Sequence, residues 1–219
     1  MAIKKTMITK DKIVSLYMEY TLEHNEKPKS VYLFAKQNNF SEAEFYSFFG
    51  TIESIEKEIF KMFLEKTVAL LQMDPNYHGY DMKSKMLSFY FTFFELLTAN
   101  RSYVSQSLTA DKNQLKNLKQ LTALRMAFLD YVTSIISDEY RIKQEKLQKM
   151  QEKALQESSW IQFLMTMKFW LEDDSAAFEK TDIYIEKSVK LSFELMNIAP
   201  IDSLIDFGKF MFKEKIQNR

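Results

Sequence analysis

Nine side chains between Lys29 and Lys57 carry the first chemistry the sequence offers. Lys29, Lys36 and Lys57 supply ammonium groups, Ser30, Ser41 and Ser47 supply hydroxyls, and Tyr46 supplies a phenol. Such groups hold the phosphate oxygens of a nucleic-acid backbone. Glu42 and Glu44 could accept from cytosine amino groups in a major groove. Each also has a plain structural use. Ser30 and Ser41 suit helix N-caps, Glu42 and Glu44 suit the positive end of a helix dipole, and Tyr46 suits a core position with a solvated tip.

A second constellation lies further along the chain. Met86, Phe89, Tyr90, Phe93, Leu97, Tyr103, Leu124, Phe128, Tyr131, Trp160, Phe163, Met167 and Trp170 exceed what one narrow helical seam needs. Aromatic and Met walls suit a flat or chain-like apolar ligand. The same stripes also suit an ordinary core.

Other chemistry is poorly supplied. The chain has no Cys and only His24 and His78, which leaves little for a metal site or a catalytic dyad. There is no nucleophile elbow and no phosphate-cradling Gly loop, so an enzyme is not expected and no cofactor or metal is indicated. Glu172-Asp173-Asp174 is an acidic trio, but its place between two helical runs makes it a turn and cap. Lys plus Arg and Asp plus Glu stand at 30 each, so no overall charge advertises a polyanionic partner. No apolar run reaches the roughly 18 residues of a membrane span. No signal-peptide pattern opens the sequence, so a cytoplasmic location is expected.

The elements that must position these groups are helices. With 3 Gly and 3 Pro in 219 residues, an all-α fold with few interruptions is expected, of about nine to ten helices. Apolar spacing predicts a helix over 10–24 with Ile13, Leu16, Tyr17, Tyr20 and Thr21 inward. Two short helices follow over 30–49, parted by Asn38-Asn39, with Val31, Phe34, Ala35, Phe45, Phe48 and Phe49 facing the core. A fourth helix is predicted over 52–73, then a break at Asp74–Gly79, then helices over 81–99 and 101–108. Long helices over 112–137, 159–172 and 176–197 follow, with a polar helical stretch at 138–157 and a last helix over 202–216.

Residues 30–49 read as a helix-turn-helix. Around it, Ile13, Ala35, Phe40-Ser41, Phe45-Tyr46, Phe49, Thr51 and Ile55 fall in the order seen in the TetR family of bacterial repressors, which residues 8–65 resemble. Three positions depart from the family's pattern: Glu44 stands for a small residue or Thr, Phe48 for a His, and Ile52 for a Lys. All three family positions commonly touch DNA. Residues 1–60 hold eight Lys and nine Asp or Glu, a net of minus one.

The resemblance implies a DNA-binding head at residues 1–52 and a helical ligand-binding and dimerisation body at 53–219. It implies a ligand-responsive repressor that binds double-stranded operator DNA, with a small apolar effector held in the body. It also implies a homodimer through the last two helices, whose recognition helices would lie about one DNA turn, ~34 Å, apart. The alternative is a protein of this shape that has lost DNA binding and holds an apolar or lipid-like ligand or a protein partner, as the ubiquinone-biosynthesis relatives of the fold do.

Overall fold

The structure is a computed structural model and describes residues 8–110, 114–136 and 145–198 of the 219-residue chain. Among the described residues there are ten α-helices, two single 3-10 turns and no strand. No helix among them is long and apolar enough to cross a membrane. The chain divides into two compact units, Met1–Lys66 with Glu95–Met126, and Thr67–Phe94 with Ala127–Arg219.

The first unit opens with α1 (Lys10–His24), α2 (Val31–Gln37), α3 (Glu42–Tyr46) and the start of α4 (Ile52–Gln72). Each start is fixed by a side chain that satisfies otherwise orphaned amides. Thr9 accepts from Lys12 N at 3.2 Å, and Ser30 accepts from Leu33 N at 3.2 Å. Ahead of α4, Thr51 and Ser54 each accept the other's amide at 3.1 Å. The exits of α1 and α2 use Asn25 and Asn39, with φ of 54° and 59°. Asn tolerates that left-handed turn because its short polar side chain can bond locally.

Phe34 is the centre of this unit's aromatic core and is fully buried. It meets Tyr17, Tyr20, Phe40 and Phe45 edge-on, with ring centroids 6.0, 6.0, 5.5 and 6.4 Å away. Edge-to-face contacts of this kind add to the burial of each ring. The short helices therefore do not depend on their own hydrogen bonds, which would be too few to hold them. Phe48 does not join the core, contrary to expectation, and is 42% exposed. Helix α3 ends at Tyr46, and Phe49 takes the inner place beside Phe45 at 5.5 Å.

This unit also contains α6 (Arg101–Thr109), α7 (Gln114–Lys119) and the first turns of α8 (Thr122–Ile136). The expected single helix over 112–137 is thus two helices. Gln120 N and Leu121 N bond only three residues back, to Asn117 and Leu118, at 3.2 and 3.0 Å. The Gln120 side chain is held by Ser107, whose hydroxyl donates to it at 2.5 Å and whose carbonyl accepts from it at 3.3 Å. That tertiary pair stabilises a tight corner that local apolar spacing could not reveal.

The second unit is built from the end of α4, most of α5 (Met82–Ala99) and α8, and from α9 (Glu145–Glu172) and α10 (Glu179–Ile198). Asp81 starts α5 by accepting from Ser84 N at 2.7 Å. The expected helix start at Ser158-Ser159 is instead interior to α9. The Ser158 hydroxyl donates to Leu155 O at 3.0 Å, so it is satisfied without breaking the helix. Buried Leu155, Trp160, Phe163, Met167 and Trp170 run through that point as one stripe.

Helix α10 begins at Glu179, after a 3-10 turn at Ala176–Phe178. Asp173 holds this corner with both carboxylate oxygens. One accepts from Ser175 N and Oγ at 2.9 and 2.7 Å, the other from Thr181 N and Oγ1 at 2.9 and 2.6 Å. Burial pushes the Asp173 carboxyl up, but these donors outweigh it and hold the group well below the usual carboxylate range. The expected last helix over 202–216 and the tail before Ile8 lie outside the described residues, as does the start of the polar stretch at 138–144.

Candidate nucleic-acid interface and aromatic core

The nine residues with phosphate or base chemistry sort by what already occupies their polar atoms. Ser30, Ser41 and Ser47 are committed to their own backbone. Ser30 caps α2, and Ser47 Oγ donates to Glu44 O at 2.7 Å. Ser41 and Glu44 form a capping box. Glu44 Oε2 accepts from Ser41 N and from Ser41 Oγ at 2.7 Å each, and Ser41 Oγ accepts from Glu44 N at 3.2 Å. Glu44 is therefore turned back onto the start of its own helix, where the dipole favours its charge. Glu42 is half-buried in the same first turn.

Lys29, Lys36, Tyr46 and Lys57 remain outward. Tyr46 is 53% exposed, with its ring edge-on to buried Phe45 at 5.6 Å. Its ring is thus anchored on one side while about half of the residue is open to solvent. The Lys36 ammonium lies 5.7 Å from the Tyr32 ring centroid, a cation–π distance that restrains its long chain. Tyr32, Leu33 and Phe48 are exposed as well. The surface of this module is thus a few lysines set among aromatic and aliphatic groups. Ile52 is half-buried and offers no donor.

Of the aromatic and Met constellation, Met86, Phe89, Tyr90, Phe93, Phe128, Tyr131, Trp160, Phe163, Met167 and Trp170 belong to the second unit. Leu97, Tyr103 and Leu124 belong to the first. All are buried. Phe163 of α9 is the hub, 4.8 Å from Phe128, 5.2 Å from Phe93 and 5.3 Å from the stacked Trp160. Phe89 stacks on Tyr131 at 4.6 Å. The Tyr77 and Tyr131 hydroxyls meet at 2.7 Å, and Tyr131 also donates to Lys85 O at 3.2 Å. The Tyr90 hydroxyl, by contrast, is fully buried with no hydrogen-bond partner. Burial, with the Tyr184 side chain nearby, drives its pKa up and keeps it a phenol.

One buried polar cluster has no counterpart among the residues singled out from the sequence. Glu56 is buried at 5% exposure, with Oε1 accepting from Tyr17 at 2.8 Å and Oε2 from Lys27 at 2.7 Å. The signal was present, since Glu56 interrupts the apolar register of Ile52, Ile55, Ile59 and Phe60. Among the described residues no group of three His, Cys, Asp or Glu could hold a metal ion.

The family model described as the tetracyclin repressor-like C-terminal domain matches residues 85–211. No curated protein matches the chain. The matched stretch covers more than half of the sequence and includes the second unit's aromatic hub. The amino-terminal resemblance and this carboxyl-terminal match lead to one conclusion: the chain belongs to the TetR family and is a regulator of that type.

Proposed function

We propose that the protein is a ligand-responsive transcriptional repressor that binds operator DNA as a homodimer in the cytoplasm. In this reading residues 1–52 meet DNA and residues 53–219 hold the effector and the second subunit. The observation that carries it is the display of Tyr46 on α3, whose buried Phe45 is locked edge-on against Phe34 of α2. Lys29, Lys36 and Lys57 supply the phosphate contacts, and Tyr46 reaches a phosphate through its hydroxyl. Ser30, Ser41, Ser47, Glu42 and Glu44 shape and orient the module, with their backbone amides nearest the DNA.

The effector is a small apolar molecule received among Phe89, Phe93, Phe128, Trp160 and Phe163. Dimerisation uses the region 176–216. Leu191 and Leu195, one turn apart on α10, are each 55% exposed, as a subunit contact requires. Two-fold symmetry then presents paired half-sites.

A second reading keeps the fold and the ligand but replaces DNA with a protein partner. The exposure of Phe48, Tyr32 and Leu33, together with the minus-one charge of residues 1–60, favours it. Fluorescence anisotropy on the DNA upstream of the protein's own gene separates the two. Salt-dependent binding that weakens in Tyr46→Ala and Lys36→Ala supports the repressor. Binding absent at low salt, or indifferent to both changes, supports the second reading.

A further inference from the structure

Residues 41–49, which are α3 with its caps and the two Phe beyond, contain no Arg, Lys, Asn or Gln. Those are the side chains that pair with guanine O6 and N7, or with adenine N6 and N7, in a major groove. The polar groups that α3 does carry are engaged inside the module. Glu44 Oε2 accepts from Ser41 N and Ser41 Oγ, and Ser41 Oγ accepts from Glu44 N. Ser47 Oγ donates to Glu44 O. Glu42 is half-buried and lies one turn from the fully buried Phe45, on the inner flank of the helix.

The outer side is different in kind. With about 3.6 residues per turn, Ala43 stands nearly opposite Phe45, and Tyr46 stands one turn from Ala43. Both are exposed. The Tyr46 ring is braced edge-on against Phe45 at 5.6 Å. Phe48, also exposed, extends the apolar surface past the end of the helix. What α3 offers to a groove is therefore hydrocarbon, a methyl group beside aromatic rings. The base feature that hydrocarbon recognises in a major groove is the 5-methyl group of thymine.

We propose that the module selects its DNA through thymine methyl groups packed against Ala43 Cβ and the Tyr46 ring, and that α3 reads nothing from guanine. This inference rests on the reading of residues 1–52 as a DNA-binding module. It adds the class of site, one with thymines where α3 lies. It also assigns a specificity-determining role to Ala43, whose side chain holds no polar atom. Tyr46 then has two separable uses, a hydroxyl for a phosphate and a ring for a methyl group.

The test is fluorescence anisotropy of the full-length protein on three versions of one duplex, the DNA upstream of its own gene. One is unmodified, one carries deoxyuridine for every thymine, and one carries 7-deazaguanine for every guanine. Deoxyuridine keeps each hydrogen-bonding group of thymine and deletes only the methyl. Affinity is expected to fall about fourfold for each methyl group that the protein buries. The 7-deazaguanine duplex, which lacks the N7 acceptor, is expected to bind like the unmodified one. In Tyr46→Phe the preference for thymine over deoxyuridine should persist while binding weakens overall. In Ala43→Gly that preference should shrink. The duplex comparison uses the wild-type protein, so it stands even if Ala43→Gly folds poorly. The proposal is overturned, with DNA binding left standing, if the deoxyuridine duplex binds as tightly as the thymine one. It is likewise overturned if 7-deazaguanine weakens binding as much as deoxyuridine does, or if folded Ala43→Gly keeps the full preference. Binding to none of the three duplexes overturns both this inference and the DNA-binding reading.

Discussion

Tyr17 of α1 donates its phenolic proton to Glu56 of α4 across 2.8 Å, in a site where the carboxylate is 5% exposed. The bond joins the first helix of the amino-terminal helix-turn-helix module to the fourth helix. Burial, followed by the Glu56 charge, raises the Tyr17 pKa, so the donor keeps its proton through the physiological range. Tyr17→Phe leaves the Glu56 charge with Lys27 alone. We expect a loss of about 1.5–3 kcal/mol, read as a lower urea midpoint at unchanged slope.

Tyr90→Phe should behave in the opposite way. Its hydroxyl is buried and unpartnered, so deletion removes a desolvation cost and no bond. Stability is expected to stay level or rise by about 1 kcal/mol. A loss comparable to that of Tyr17→Phe would mean that a partner for this hydroxyl exists.

Glu44→Gln separates helix capping from charge. Gln at this position can still close the box with Ser41, so the fold is expected to hold within about 0.5 kcal/mol. The module's net charge rises by one. If it meets DNA, anisotropy should report tighter binding at low salt, whereas Glu44→Ala should lose about 1 kcal/mol of stability with the cap.

Asp173 sets a pH limit. Its folded-state pKa is held below the unfolded value of roughly 3.9, so its contribution is complete above that pH and drains away as pH falls toward the folded value. Asp173→Asn is expected to destabilise the protein by about 2 kcal/mol at pH 7. Mutant and wild-type midpoints should converge on acidification below about pH 4.

The same corner holds a strained pair. Ala177 and Phe178 have φ of 52° and 58°. An L side chain there costs about 1–2 kcal/mol. Ala177 is exposed and loses no packing on truncation. Ala177→Gly is therefore expected to raise stability by about 0.5–1 kcal/mol after the extra chain entropy of glycine.

What could be read from the sequence was whatever is decided locally. Ser30, Ser41 and Asn38-Asn39 announce their helix ends because capping and left-handed exits are chemistry of a few neighbouring residues. Phe34 and Phe45 announce the inner face by their spacing. The break at Gln120 was hidden because its cause, Ser107, is thirteen residues away. Ser158 misled because a serine looks like a cap whether its hydroxyl serves an amide or its own helix's carbonyl. Phe48 misled because a helix as short as α3 has no second turn to fix which of its last aromatics turns inward. At the site, the outward lysines and Tyr46 were legible. The buried Glu56 was not, since it is defined by partners on other elements, Tyr17 and Lys27.

The outer sides of α9 and α10 leave Ile161 and Met165, and Leu191 and Leu195, more than half bare. Association that covers these hydrocarbon ridges removes them from water only in the folded chain, so mass action makes heat resistance a function of how much protein is in the tube. If the proposed homodimer covers them, diluting the sample should lower its melting midpoint, and a solitary subunit should be the stickier and more fragile species.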